Sequence, residues 1–434
     1  MQNIYVETYG CSNNIAESQI IKGILSSKGF LLVDNIENSD IIIINTCSVK
    51  EATVNKMLYR IKEISQKYPR KKIIIAGCLP ETHYNEIMKI APEANIVSTN
   101  HITKIDKAIF KIIKNERVEF LGKNKEIKVL LPKIQENKVI SIVPICSGCN
   151  SFCYFCATKF AKGDVFSFPE DKIIKEMKIA KEYGAKEFWI TGQDVACYGL
   201  DRGNVSLLPN LLENILSNIK GKYFIRLGMM NPENLIKISN EMLRIYRDER
   251  IFKFLHIPVQ SGSNKVLKLM NRRYEKDDFI DIVEKFRRHF KELNLWTDVI
   301  VGYPGESEED FLETVDLIKR IEPNKVNISR FSTHKIVPAS KMKQIPSEIK
   351  YKRSKALYRV FKEIANQRNK SWIGWEGEML VDQIIKGKGV IGRNYAYMPI
   401  IINNDKNYKN LLGCYIKVKV VGVKGNLLVG EILE

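Results

Sequence analysis

Short continuous apolar runs alternate with helix-period stretches through most of the chain, a pattern that predicts parallel sheets covered by helices. Asn3–Thr8 reads as a strand, and 15–28 as a helix with Ile20, Ile21, Ile24 and Leu25 on one face. Residues 40–45, 72–76 and 94–98 are apolar on both faces, as strands buried between layers must be. With a helix over 49–68, they predict an open, doubly wound parallel sheet over residues 1–114. Residues 115–138 are charged and weakly periodic and predict a connector. Strand–helix alternation then resumes for six units, with strands at 139–145, 187–191, 223–228, 253–259, 296–301 and 325–331. Six units are too few for a closed eightfold barrel and predict a partial (βα)6 barrel, which with a trailing basic helix spans 139–370. From 371 to 434 short strands punctuated by glycines predict a small closed β-barrel of OB-like size. The fold class is α/β.

The polar signals fall at the carboxyl ends of these strands, where open sheets and barrels place their ligands. In the first sheet Cys11, Cys47 and Cys78 each follow a strand, two of them directly after a glycine. Three thiols distant in sequence would converge on one edge, although free cysteines are also common in cores. In the second unit Cys149, Cys153 and Cys156 form Cys-x3-Cys-x2-Cys just after the first strand, with Phe155 before the last thiol. Three thiolates on a tight loop can hold three irons of a cubane cluster and leave the fourth open to a ligand. A closed zinc site using Cys146 as well is the competing reading, but the two Cys-x2-Cys pairs lie too close together for it. Later strand ends carry Gly192-Gln193-Asp194, Arg226, His256 to Ser263 with Gln260, and Asp298 with Gly302 to Glu306.

Charge changes the picture. The 434 residues carry a formal net charge of +19, which asks for a polyanionic partner, nucleic acid first and an anionic membrane surface second. From Lys341 to Lys370 ten basic residues face two acids, Glu348 and Glu363. A solvated helix face mixes signs, so Lys352, Arg353 and Arg359 are candidates for phosphate contacts. Arg393, Tyr395 and Tyr397 alternate in the small barrel and suggest a backbone-plus-stacking surface for RNA. The apolar runs are strand-length, too short to span a bilayer, and no targeting segment is visible. The expectation is a cytoplasmic monomer that does not engage a membrane.

Taken together, the three-cysteine sheet, the Cys-x3-Cys-x2-Cys partial barrel and the small terminal barrel resemble the radical S-adenosylmethionine (SAM) methylthiotransferases over nearly the whole chain. The resemblance rests on Tyr9 to Asn14, Asn45 to Lys50, Ala76 to Pro80, His256 to Ser263 and Thr297 to Glu306. Residues 387–397 make it closest to the archaeal and eukaryotic branch that modifies N6-threonylcarbamoyladenosine (t6A) beside the tRNA anticodon. The last unit resembles the RNA-binding TRAM domain.

The resemblance implies two [4Fe–4S] clusters, one on Cys149, Cys153 and Cys156 that binds and cleaves SAM, the other on Cys11, Cys47 and Cys78 that presents sulfur. It implies SAM contacts from Phe155, Gly192, Gln193, Asp194, Arg226, Gln260 and Asp298. It further implies tRNA as substrate and an electron-donor protein of unknown identity. Cys146, Cys197 and Cys414 receive no ligand role. The family usually shows Arg-Pro-Gly-Thr after the sixth strand, where this chain has His334-Lys335-Ile336-Val337. Rival readings are a methylthiotransferase for isopentenyladenosine in tRNA or for a ribosomal protein, and a non-catalytic iron–sulfur protein that binds RNA.

Overall fold

The fold is taken from a computed structural model that describes residues 2–403 and 408–433. The N-terminal sheet contains β1 (Asn3–Thr8), β2 (Leu31–Val33), β3 (Ile41–Thr46), β4 (Lys72–Gly77), β5 (Asn95–Ser98) and β6 (Glu119–Phe120). Their order is β2-β1-β3-β4-β5-β6, all parallel. β3 is buried along its whole length because helices cover both faces. Ile41 and Ile43 pack on one side and Ile42 and Ile44 on the other. Helices α1 (Ser12–Ser27), α2 (Glu51–Lys67) and α3 (Leu79–Ile90) each start just past a strand end. That geometry sets Cys11, Cys47 and Cys78 on one rim.

The expected connector is not a solvated tether. It adds β6 to the sheet and buries Lys128. Lys128 and Lys162 both bind Glu17 Oε1, at 2.7 and 2.8 Å, with all three side chains enclosed. Lys162 ends the short helix Ala157–Lys162 that follows the Cys149–Cys156 loop. One carboxylate in α1 therefore ties the N-terminal sheet to the loop of the second unit. Burial alone would raise the Glu17 pKa, but the two ammonium groups outweigh it and hold the carboxyl down to about 2.

Six parallel strands form the central arc: β7 (Ile140–Pro144), then, past the two-residue ladder of β8 (Cys146–Ser147) and β9 (Phe166–Ser167), β10 (Glu187–Thr191), β11 (Phe224–Leu227), β12 (Phe254–His256), β13 (Asn294–Val301) and β14 (Lys325–Arg330). Two three-stranded sheets, β11-β10-β7 and β12-β13-β14, are joined by a bridge from Ile225 to Ile251. Alternate residues such as Phe188, Ile190, Leu255 and Val299 pack outward into the helical layer. The intervening ones, Trp189, Arg226, His256 and Asp298, are left to line the inner face.

The last unit is a closed barrel, β15 (Glu376–Ile385), β16 (Gly389–Asn394), β17 (Pro399–Ile402), β18 (Tyr415–Lys424) and β19 (Leu427–Ile432), in the order β15-β16-β17-β19-β18. It closes the arc at the amino ends of the strands. Tyr397 packs 5.0 Å from Phe252 and 4.9 Å from Phe254, ring centre to ring centre. Lys253 N–H donates to the Tyr395 carbonyl at 2.8 Å, and Lys186 Nζ to the Gly413 carbonyl at 2.7 Å.

This seat corrects the expected RNA face. The β-ladder stops at Asn394 and the chain turns, with Tyr397 in the left-handed region (φ 59°), so residues 393–397 share no strand face. Tyr397 is buried, and Tyr395 gives its hydroxyl to Glu292 at 2.9 Å. Arg393 Nε lies 3.2 Å from the buried Asp382 carboxylate. Tyr395 and Tyr397 hold the two barrels together, and Arg393 is spent on a pair within the small barrel. The long helix Ser347–Lys370 corrects a fourth residue, for Arg353 is buried between Glu306 and Glu308. Lys352 and Arg359 remain exposed, Lys352 in a surface pair with Glu348 at 2.7 Å.

Two outcomes are expected. Arg353→Met strands the Glu306 carboxylate and should cost about 3–5 kcal/mol in urea unfolding, whereas Arg359→Ala should stay within about 0.5 kcal/mol. Because the folded-state pKa of Glu17 lies below its ordinary 4.5, its contribution is present above that value and lost as pH falls toward about 2. The stability gap between wild type and Glu17→Gln should thus be largest near neutrality and close through that acid window.

Candidate active site

Cys11, Cys47 and Cys78 meet at the rim of the N-terminal sheet, close enough that the charges of Cys11 and Cys47 both act on Cys78. Gly10 is what allows the approach. It sits at φ 113°, and a Cβ there would lie 2.6 Å from Cys47 Cβ and 3.0 Å from its sulfur. Any side chain would fill the space between two of the thiols. Asn14 fixes the loop by donating to the Thr46 carbonyl at 2.7 Å while its oxygen lies 3.6 Å from Cys11 Sγ. Asn45 Nδ2 donates back to the Asn14 carbonyl at 2.9 Å. Burial raises the Cys47 thiol and pushes Cys78 up to about 12. The Lys162 ammonium opposes this for both thiols. Burial alone would lower the Lys162 pKa, but Glu17 and Cys78 outweigh it and raise it.

The second thiol set is equally compact. Cys153 and Cys149 both act on Cys156, which burial pushes up to about 11. Arg272 Nη1 donates to Cys153 Sγ at 3.2 Å, while Arg272 Nη2 donates to Asn231 at 2.6 Å. Gln193 Oε1 accepts from Gly148 N–H at 2.7 Å and so steadies the start of the cysteine loop. Cys146 and Cys197 lie beneath Cys149, and the Cys197 Sγ donates to the Asp194 carbonyl at 2.9 Å. Donation of the Cys149 S–H to Cys197 and burial together raise the Cys149 thiol. Gly192 leaves room for Cys146, whose sulfur a Cβ there would meet at 2.8 Å. Phe155 packs partly buried against a cluster that includes Val266, Met270 and Tyr303.

The two rims come into contact. Ser12 Oγ, next to Cys11, lies 3.1 Å from Thr191 Oγ1 at the end of β10, and Asn100 Nδ2 donates to the Ala161 carbonyl at 3.0 Å. Three thiols within reach of one another on each side, each set beside a cation, suit an anionic iron–sulfur cluster. These six and the other three cysteines, Cys146, Cys197 and Cys414, are all free.

The strand-end residues separate into two groups. Asp298 accepts from His256 at 2.7 Å and from Asn327 at 2.8 Å on the inner face. Burial works against its ionisation, but these bonds outweigh it and hold the carboxyl low. Gln260 is held at φ 70°, a conformation rare outside glycine that often marks a ligand-facing bend. Asp194 and Arg226 correct the expected contacts. Both oxygens of Asp194 are consumed, by Asn231 N–H, Ala196 N–H and Asn234 Nδ2, and burial pushes its pKa up to about 6. It braces the loop from below. Arg226 lies deeper in the arc, stacked on Trp189, Phe254 and Tyr397 at 5.2, 5.0 and 5.4 Å. Its partners belong to the seat of the small barrel.

Sequence reasoning missed Glu17, Lys128, Lys162 and Arg272. Lysines in a lysine-rich chain give no signal. Arg272 stood in Asn271-Arg272-Arg273-Tyr274, a basic turn between helices with no motif spacing to the cysteines.

Comparison with known proteins agrees with this arrangement. Residues 3–99 match a family described as uncharacterized protein family UPF0004, and residues 143–318 match the radical SAM superfamily. A probable threonylcarbamoyladenosine tRNA methylthiotransferase from Pyrococcus horikoshii is 37% identical across 100% of both chains. The human threonylcarbamoyladenosine tRNA methylthiotransferase is 32% identical over 93% of this chain and 69% of its own length. Among solved structures, a radical SAM methyltransferase, TsrM, from Kitasatospora setae shares the fold with a TM-score of 0.57 at 12% identity, covering 78% of this chain and 75% of that one. Full-length identity of this order, spanning both thiol sets and the small barrel, leaves one assignment: the chain belongs to the threonylcarbamoyladenosine tRNA methylthiotransferase family.

Proposed function

We propose that this protein inserts a methylthio group at C2 of t6A beside the anticodon of tRNA. The observation that carries the reading is the pair of three-thiol sets on facing rims, joined at Ser12 and Thr191. When bound, two [4Fe–4S] clusters and SAM would supply reductive SAM cleavage on the barrel side and sulfur on the sheet side. Cys149, Cys153 and Cys156 would hold the first cluster, and Cys11, Cys47 and Cys78 the second.

The chain's own groups prepare the site. Arg272 places a fixed guanidinium on Cys153, favouring its thiolate form. Lys162 does the same for the sheet side while locked to Glu17. Gln193 orients the cysteine loop, and Asp194 braces it from below. Asp298, ionised and aligned by His256 and Asn327, is part-exposed where Asp194 is buried, so its remaining lone pairs would accept from a hydroxyl or amine of SAM, with further contacts from Phe155, Gly192 and Gln260. In this reading residues 1–114 carry the sulfur-donating unit, 115–138 the join, 139–370 the radical SAM unit and 371–434 an RNA-binding barrel. RNA would be held by exposed cations, Lys352 and Arg359 on the long helix and Lys386, Lys388, Lys417 and Lys424 on the small barrel. A protein donor would supply electrons.

Replacing Cys149, Cys153 and Cys156 by Ala should remove about half the iron of the reconstituted protein and abolish SAM cleavage. Replacing Cys11, Cys47 or Cys78 should spare part of the cleavage and abolish methylthiolation. Iron analysis and release of 5′-deoxyadenosine read the clusters and SAM cleavage, and nucleoside mass spectrometry of tRNA incubated with each variant reads methylthiolation; methylthiolation at the wild-type rate by the second group would sink the division of labour. The t6A assignment is checked by the same method on tRNA from a deletion strain, which should lack the methylthio form of t6A and keep that of isopentenyladenosine.

The RNA reading has its own test. Each lost phosphate contact should flatten the plot of log affinity against log salt by about 0.7–0.9. Lys352→Glu with Arg359→Glu should therefore weaken tRNA binding and reduce the slope, with SAM cleavage in the absence of tRNA unchanged. An unaltered slope would remove the helix from the RNA-binding surface.

A further inference from the structure

Three side chains outside both thiol sets meet where the N-terminal sheet touches the loop after β14. Glu51 is the first residue of α2, His83 lies in α3, and His334 opens the segment in which this chain departs from the family pattern. One ligand atom from each falls within 4.8 Å of the others. Both histidines are buried, His334 with 3% of its surface exposed.

The hydrogen bonds around them are incomplete in an informative way. His334 Nδ1 and Glu51 Oε2 are 3.1 Å apart, yet neither atom has a hydrogen-bond partner. They share a neighbourhood without pointing at each other. His83 has the opposite arrangement. Thr82 Oγ1 donates to the Leu79 carbonyl at 3.2 Å, so its oxygen is left to accept from His83 Nδ1–H at 2.8 Å. That bond fixes the tautomer and frees the Nε2 lone pair, as the second bond of a metal-bound histidine does. The backbone is bent to suit, since His83 leaves helical geometry within α3 (φ −139°, ψ 37°). The two rings stand edge to face, 5.8 Å between centres. Burial holds both imidazoles below their ordinary pKa, in the neutral form that ligates.

We propose that Glu51, His83 and His334 bind a divalent first-row transition ion of the zinc class, separate from the two thiol sets. Two imidazoles and one carboxylate are borderline donors, suited to zinc and poorly matched to magnesium or calcium. Three protein donors leave at least one position for water. The ligands come from two units, Glu51 and His83 from the sheet and His334 from the barrel. The ion is thus a second clasp across the junction that Glu17 ties on the other side of the cysteine rim. A charge-paired His334–Glu51 with no ion is the simpler arrangement, but it would align the two atoms into a hydrogen bond.

The test uses the full chain with both iron–sulfur clusters installed, so that the cysteines are occupied. The protein is exposed to Zn2+ and desalted. Metal content is measured by mass spectrometry, and the zinc shell by X-ray absorption. The expected result is a single retained zinc per chain with nitrogen and oxygen neighbours only. His83→Gln with His334→Gln should retain at least about tenfold less at the same iron content. Sulfur in the zinc shell, no retained zinc, or equal zinc in the double variant would each overturn the proposal. If the double variant does not fold, Glu51→Gln serves in its place: weaker retention at unchanged iron supports the site, and wild-type retention overturns it.

Discussion

Glu17 sits inside the protein with Lys128 and Lys162 on the same carboxylate oxygen, and the geometry of the thiol rims depends on that knot. Its three members come from α1, from the join between units and from the helix that ends the cysteine loop. Separating the units would leave at least one buried ion without its partner, at a cost of several kcal/mol. An apolar contact at the same place would hold the units together but would tolerate sliding. A shared carboxylate does not, because its acceptor oxygen defines a point. The same Lys162 ammonium acts on Cys78, so the group that fixes the spacing of the rims also sets the field at one of them.

The arc of six strands has two distinct ends. Its carboxyl end carries the cysteine loop, Gln193, Gln260 and the contact with Ser12. Its amino end is plugged by Tyr397 and Tyr395 of the small barrel, against Phe252, Phe254 and Glu292. A partial barrel leaves its inner face open, and this plug supplies the apolar and aromatic cover that two missing strands would otherwise provide. Arg226 is part of that cover, which is why an inner-face residue near the expected site is occupied by the barrel seat.

Much of this was legible in the chain. Strand positions were, because a buried parallel strand must be apolar on both faces and few other elements are; all six central strands begin within two residues of their expected starts. The thiol sets were legible because each cysteine follows a strand. The misreadings share a cause. Arg393, Tyr395 and Tyr397 alternate like a strand, but period two means nothing once the backbone turns at Asn394. Arg353 was counted with a net charge, although it lies on the stripe of Lys350, Leu357, Phe361, Ala365 and Asn369 that the helix buries. Asp194 reads in sequence like any polar strand end, and only its partners reveal that both oxygens are taken. His334 looked like a loss relative to the family pattern until His83 and Glu51 came to stand beside it.

The placement of the small barrel carries a metric consequence. It lies at the amino ends of the strands and the thiol rims lie at the carboxyl ends, with β13, the longest strand of the arc, between them. Eight residues of parallel strand span roughly 26 Å. A polymer gripped at both places must bridge at least that distance along the outside of the arc. A loose nucleotide cannot do so, whereas a stiff double-helical stem can. If the small barrel holds RNA as proposed, that separation makes the length of a folded stem a condition for reaching the thiol rims, before any base is read.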